Sequence, residues 1–110
     1  MKYILIFSLL ALLNCDWDGI DISELHGLDV DFDKVKAAGK NFVILRAGIG
    51  TSADKYFELN YKKAKEAWMN VGAYWYAKAL SETESKNEAQ LCLNAVSGKT
   101  LEYPIYYDIE

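Results

Sequence analysis

The sequence predicts a parallel α/β fold of the (β/α)-barrel kind, present as an incomplete N-terminal half. Three observations predict it. From Gly19 onward, short apolar and β-branched runs alternate with amphipathic helical stretches, the pattern of βαβ units with right-handed crossovers. Four such strands and three helices amount to half of a barrel that usually needs about 250 residues. The last run, Tyr103 to Glu110, ends in acids, at the strand end where barrels keep their chemistry.

The first segment is read as targeting rather than fold. Lys2 precedes an apolar run from Ile4 to Leu13 broken only by Ser8, too short for a helix to span a bilayer of roughly 30 Å. A basic start and a short apolar core read as a secretory signal peptide over residues 1–15, so secretion is the expected localisation. Leu12-Leu13-Asn14-Cys15 is loosely like a lipobox, which makes a lipid anchor at Cys15 the alternative. Residues 19–110 are then one catalytic domain, expected to be cut short at its C-terminal side.

Within that domain, Gly19–Ile22 is a brief first strand. Asp31 caps a short helix through Ala38, and Gly39 ends it. Phe42–Ala47 (FVILRA) has the composition of a buried parallel strand, and Gly48–Tyr56 is a polar loop. Tyr56–Met69 reads as an amphipathic helix with Leu59, Lys63, Ala64, Ala67 and Trp68 marking its periodicity. Val71–Ala77 (VGAYWYA) is the next strand. Ser81 with Glu84 forms a capping box opening a helix to about Val96, closed by Gly98. Tyr103–Glu110 (YPIYYDIE) is the fourth strand, with Pro104 tolerable at its start.

Composition removes several function classes. The 110 residues carry 12 basic and 16 acidic side chains for a net charge of −4, with 52% hydrophobic and 14% aromatic residues. Such a chain folds, and its acidic balance argues against nucleic-acid binding. There is no CxxC, no HExxH and one histidine, so a zinc site has no ligand set; neither a metal nor a cofactor is expected. Cys92, among Leu91, Leu93 and Ala95, reads as a buried thiol. Gly48-Ile49-Gly50 lacks the third glycine of a dinucleotide fingerprint, has alanine at position 53, and no acid ends a following strand at the right distance. His26 beside Gly27 reads as a loop residue.

Asp108 and Glu110 lie two apart on an extended run, so both side chains face one side, with Cα atoms roughly 6.5–7 Å apart. Two carboxylates at a barrel mouth suit glycosidic bond cleavage: one donates a proton to the leaving oxygen and the other stabilises charge at the sugar carbon. Asp21 at the end of the first strand either caps the loop containing Ser23 or joins these acids, in which case crowding of like charge would raise one pKa. Tyr74 and Tyr76 share one strand face in a region crowded with Trp75, Tyr103, Tyr106 and Tyr107. Their rings either stack on sugar or fill core. Arg46, in phase with Phe42 and Ile44, serves either a salt bridge inside the barrel or substrate contact.

Taken together, Gly19-Ile20-Asp21-Ile22-Ser23, Asp31 to Gly39 (DFDKVKAAG), Phe42 to Gly48 (FVILRAG), Val71 to Ala77 and Asp108-Ile109-Glu110 resemble glycoside hydrolase family 25, the Chalaropsis-type lysozymes. The resemblance covers residues 19–110 in order. It implies a flattened β/α barrel that cleaves the β-1,4 link between N-acetylmuramic acid and N-acetylglucosamine in peptidoglycan glycan strands, as a monomer without metal. By that likeness Glu110 is the proton donor, Asp108 its partner in orienting the substrate acetamido group, and Asp21 the third acid. Tyr74 and Tyr76 would line the cleft, with Arg46 a further substrate contact. The alternative is a non-catalytic peptidoglycan-binding protein or an inactive fragment. Trp75 stands where His is also common, and Lys78 replaces a frequent Ser-Tyr-type continuation.

Overall fold

The computed structural model describes residues 18–27 and 29–110. The expected signal segment and Cys15 lie outside them. Five strands and three α-helices follow in order: β1 (Gly19–Ile22), α1 (Phe32–Ala37), β2 (Phe42–Ile49), β3 (Ser52–Ala53), α2 (Phe57–Glu66), β4 (Asn70–Tyr76), α3 (Glu82–Val96) and β5 (Ile105–Asp108). A 3-10 turn at Glu24–His26 follows β1. The strands β1, β2, β4 and β5 form one parallel sheet in that spatial order, with β3 antiparallel on β2. This is the first half of a β/α barrel wall. Among the described residues, no helix is long and apolar enough to cross a membrane.

Two layers of side chains pack on the sheet. The outer face carries Val43, Leu45, Val71, Ala73 and Trp75, all buried against Phe57 and Ala64 of α2 and Cys92 and Val96 of α3. Cys92 is a free, buried thiol, as its apolar neighbours imply. The inner face carries Phe42, Ile44 and Tyr74, joined by Tyr103 before β5, with Tyr106 half-buried against them. The Phe42 and Tyr103 rings lie 4.6 Å apart, which closes the end of the inner layer farthest from Asp108.

Helix ends follow the sequence signals. Asp31 accepts from the Lys34 amide at 3.2 Å, Ser81 from the Glu84 amide at 3.2 Å, and Gly39 and Gly98 take positive φ beyond their helices. The α2 helix differs from expectation: it runs Phe57–Glu66 rather than to Met69. Trp68 adopts φ 62° and is 84% exposed. The buried stripe is Phe57, Asn60 and Ala64, so Leu59 and Trp68 do not belong to the core face. An apolar side chain counts toward a helix periodicity whether or not anything packs on it, and here nothing does.

The loop expected at 48–56 is also more ordered than its composition suggests. The β2 strand continues to Ile49, and a turn at Gly50 (φ 58°) folds Ser52–Ala53 back onto Gly48–Ile49. Pairing of β2 with β4 shifts between Arg46 and Gly48. This bulge leaves Arg46 facing inward while Gly48 falls opposite outward-facing Trp75. A Cβ on Gly48 would collide with the Trp75 six-membered ring and lie 2.7 Å from the Ser52 carbonyl oxygen. The indole is pinned by its Nε1–H donating to the Gly50 carbonyl at 2.9 Å. Gly48→Ala is therefore expected to cost about 1–3 kcal/mol by overpacking, read as a lower urea midpoint; an unchanged midpoint would show the indole free to yield. These glycines serve packing and a tight turn, consistent with the missing phosphate-loop pattern.

Candidate active site

The C-terminal ends of the parallel strands gather the polar side chains. Asp21 is exposed on β1, Asp108 ends β5 and is 1% exposed, and Glu110 follows two residues later, exposed. Tyr76 is the register partner of Asp108, and Tyr74 that of both Arg46 and Tyr106. Strands β1 and β5 stand at opposite ends of the four-strand order, yet the Asp21 and Asp108 carboxylates both act on the Tyr74 hydroxyl.

The electrostatics record that crowding. Burial and the Glu110 carboxylate hold the Asp108 carboxyl above its ordinary value of 3.8, and a hydrogen bond to Glu110 and the charge of Asp21 act in the same direction. Protonated, Asp108 donates to Glu110. Its Oδ1 has no hydrogen-bond partner among the described residues. The charge of Glu110 is also the main reason the Tyr76 phenol is raised, with burial second. Glu110 is thus bracketed by a buried acid and a phenol. Burial, followed by the charge of Asp21, pushes the Tyr74 phenol up to about 12, with Arg46 opposing and Asp108 adding to the rise.

A pH prediction follows. The folded state holds the Asp108 proton more tightly than the unfolded chain, so it binds more protons from 3.8 up to the raised value. Stability contributed by this group is full below that window and falls as pH rises through it. Asp108→Asn removes the loss. Its melting temperature is expected to exceed the parent's at pH 7, with the gap closing as pH falls toward 3.8. Equal melting at pH 7 would contradict a carboxyl crowded in this way.

Arg46 points inward as its phase implies, but it is tied: its Nε donates to Asp54 Oδ2 at 2.9 Å, with side-chain exposures of 7% and 1%. Asp54 also accepts from the Tyr56 amide at 2.9 Å, and its own amide reaches the Ala47 carbonyl at 2.9 Å. Of the other aromatics, Tyr103 and Tyr106 share the inner layer. Trp75 and Tyr107 face outward, away from the acids. Tyr107 donates to Glu88 at 2.8 Å. His26 lies in the turn after β1, its Nδ1 accepting from the Ser23 amide at 3.1 Å. No group of His, Cys, Asp or Glu among the described residues has a metal-holding arrangement.

Asp54 and Glu88 escaped the sequence reading. Glu88 is 3% exposed and accepts from the Lys78 amide at 3.2 and 3.3 Å, fastening the segment after β4. Its only signal was an acid on the apolar side of α3. Asp54 gave none beyond being an acid in a polar loop.

Comparison with known proteins settles the family. The model of glycosyl hydrolases family 25 matches residues 20–110. The chain belongs to glycosyl hydrolase family 25. Comparison with curated proteins returns no match. Among solved structures, the modular autolysin LytC from Streptococcus pneumoniae, in complex with a synthetic peptidoglycan ligand, superposes with a TM-score of 0.76 at 30% identity, covering 83% of this chain and 22% of that one. A family 25 glycosyl hydrolase from Bacillus anthracis gives 0.75 at 26% identity, covering 84% and 42%. The family 25 lysozyme of Aspergillus fumigatus gives 0.68 at 31% identity, covering 84% and 45%. The chain thus spans less than half the length of each of these structures.

Proposed function

We propose that this family 25 chain supplies the acid-bearing part of a muramidase site that hydrolyses the β-1,4 bond between N-acetylmuramic acid and N-acetylglucosamine in peptidoglycan. The observation that carries the reading is the acid at the C-terminal ends of the parallel strands, where buried Asp108 ends β5, exposed Glu110 follows two residues later and Asp21 lies on β1, with Tyr74 and Tyr76 on β4 between those strands. The peptidoglycan ligand bound by the LytC relative supports the substrate class.

Placement divides the roles. Glu110 is exposed and hydrogen-bonded, so it presents its carboxyl to the cleft and donates a proton to the departing glycosidic oxygen. Asp108, buried behind it, passes to Glu110 the proton that Glu110 delivers to the leaving oxygen. As a carboxylate it then accepts from the N–H of the substrate acetamido group, whose oxygen attacks the sugar carbon as the glycosidic bond breaks, and water opens the resulting cyclic intermediate. Asp21 adds negative potential that stabilises the developing oxocarbenium charge. Tyr74 and Tyr76 offer ring faces and hydroxyls to the saccharide. Arg46, held by Asp54, supports Tyr74 rather than reaching for sugar. The basic and apolar N-terminal run supports secretion, with acylation at Cys15 as the alternative.

The test is clearing of a bacterial wall suspension, followed by reducing-end analysis. Clearing with new muramic acid ends is the expected result. Wall binding without clearing would instead establish a non-catalytic glycan binder, and glucosamine ends would overturn the bond assignment.

A further inference from the structure

A cleft of about 480 Å³ opens between the segment after β2 and the segment after β4, lined by Thr51, Ser52, Lys78 and Asn87 together with two acids, Glu84 and Glu88. Both segments leave the C-terminal ends of parallel strands, so the cleft lies on the same rim as Glu110.

Lys78 is held in it from three sides. The buried Glu88 carboxylate fixes its amide. Its stem runs beside Gly50, where an added Cβ would stand 3.2 Å from Lys78 Cγ. Its ammonium sits 5.4 Å from the ring centre of Tyr76, the register partner of Asp108. A cation over a tyrosine face is favourable, and the stem contact limits where it can swing.

The neighbouring acids are already engaged. Glu84 Oε2 accepts from the Leu80 amide at 2.6 Å, and Glu88 serves Lys78 and Tyr107. Lys78 forms no ion pair among the described residues. One positioned cation with the hydroxyls of Thr51 and Ser52 and the amide of Asn87 suits a carboxylate.

We propose that the cleft around Lys78 is a carboxylate-binding subsite beside the catalytic rim, which recognises an acid group carried by the glycan strand. The inference rests on the peptidoglycan reading above. In that polymer the acid is either the free lactyl group of muramic acid or a carboxylate of the attached stem peptide.

The test is binding of a disaccharide ending in muramic acid, which contains no scissile bond, followed by NMR titration of the full chain. Four ligands are compared: the free lactyl acid, its methylamide, the stem-peptide conjugate as acid, and the same conjugate amidated. The parent is expected to prefer one acid over its amide by about three- to fivefold, and the preferred pair identifies the source. Lys78→Met is expected to erase that preference, Lys78→Arg to keep most of it, and Lys62→Met on exposed α2 to leave it intact. Because Lys78 is exposed, these variants fold as the parent does. Binding without acid preference, or a preference that survives Lys78→Met, overturns the subsite alone. No binding of any saccharide overturns the peptidoglycan reading with it.

Discussion

Glu110→Gln is expected to lower wall hydrolysis by about three orders of magnitude while leaving glycan binding within about twofold of the parent. The substitution keeps the shape of the side chain and removes its charge beside Tyr76. It removes the one exposed carboxyl of the pair, the group to which the proposed mechanism gives the leaving-oxygen proton. Glu110 is exposed, so folding is not at stake and a lost rate reads as lost chemistry. Binding to walls and clearing of walls should separate in the same sample. Full clearing by this variant would remove Glu110 from the donor role and leave Asp108, behind it, as the candidate.

The largest expected stability effect lies at the Arg46–Asp54 pair. Both side chains are almost wholly buried, and Asp54 also ties the Tyr56 amide and, through its own amide, Ala47. Asp54→Ala removes the buried carboxylate to which the Arg46 Nε donates, which costs about 3–5 kcal/mol, a large share of the stability of an ordinary domain. Equilibrium urea denaturation reads it directly. Replacing both partners, Arg46→Met with Asp54→Leu, is expected to recover most of the loss, because no uncompensated charge remains. A single substitution costing under about 1 kcal/mol would mean the pair behaves like a surface ion pair.

Much of this molecule is legible locally. Hydrophobic runs at 42–47 and 71–77 become β2 and β4, displaced by a residue or two. Caps at Asp31 and Ser81 act as their residue types imply. Strand alternation puts Tyr74 and Tyr76 on one face and Asp108 opposite Tyr76. The misreadings share a cause. Trp68 and Leu59 fit a helix period but are exposed, since periodicity records what a face could bury and not what covers it. The 48–56 segment looks polar and unstructured, yet its turn is pinned by Trp75, which reaches the Gly50 carbonyl from β4, and its Asp54 is anchored by Arg46 of β2.

Side-chain period and capping chemistry act over a few residues, so the sequence by itself determined the strand–helix alternation, the parallel half-barrel and the pairing of Asp108 with Glu110 on one face. Only the tertiary structure decided that Asp54 pairs with Arg46, that Trp75 pins the Gly50 turn, and that Glu88 fastens the Lys78 amide. Each of those contacts depends on how far the sheet curls and on which helix packs where, and neither is written in any short stretch of chain.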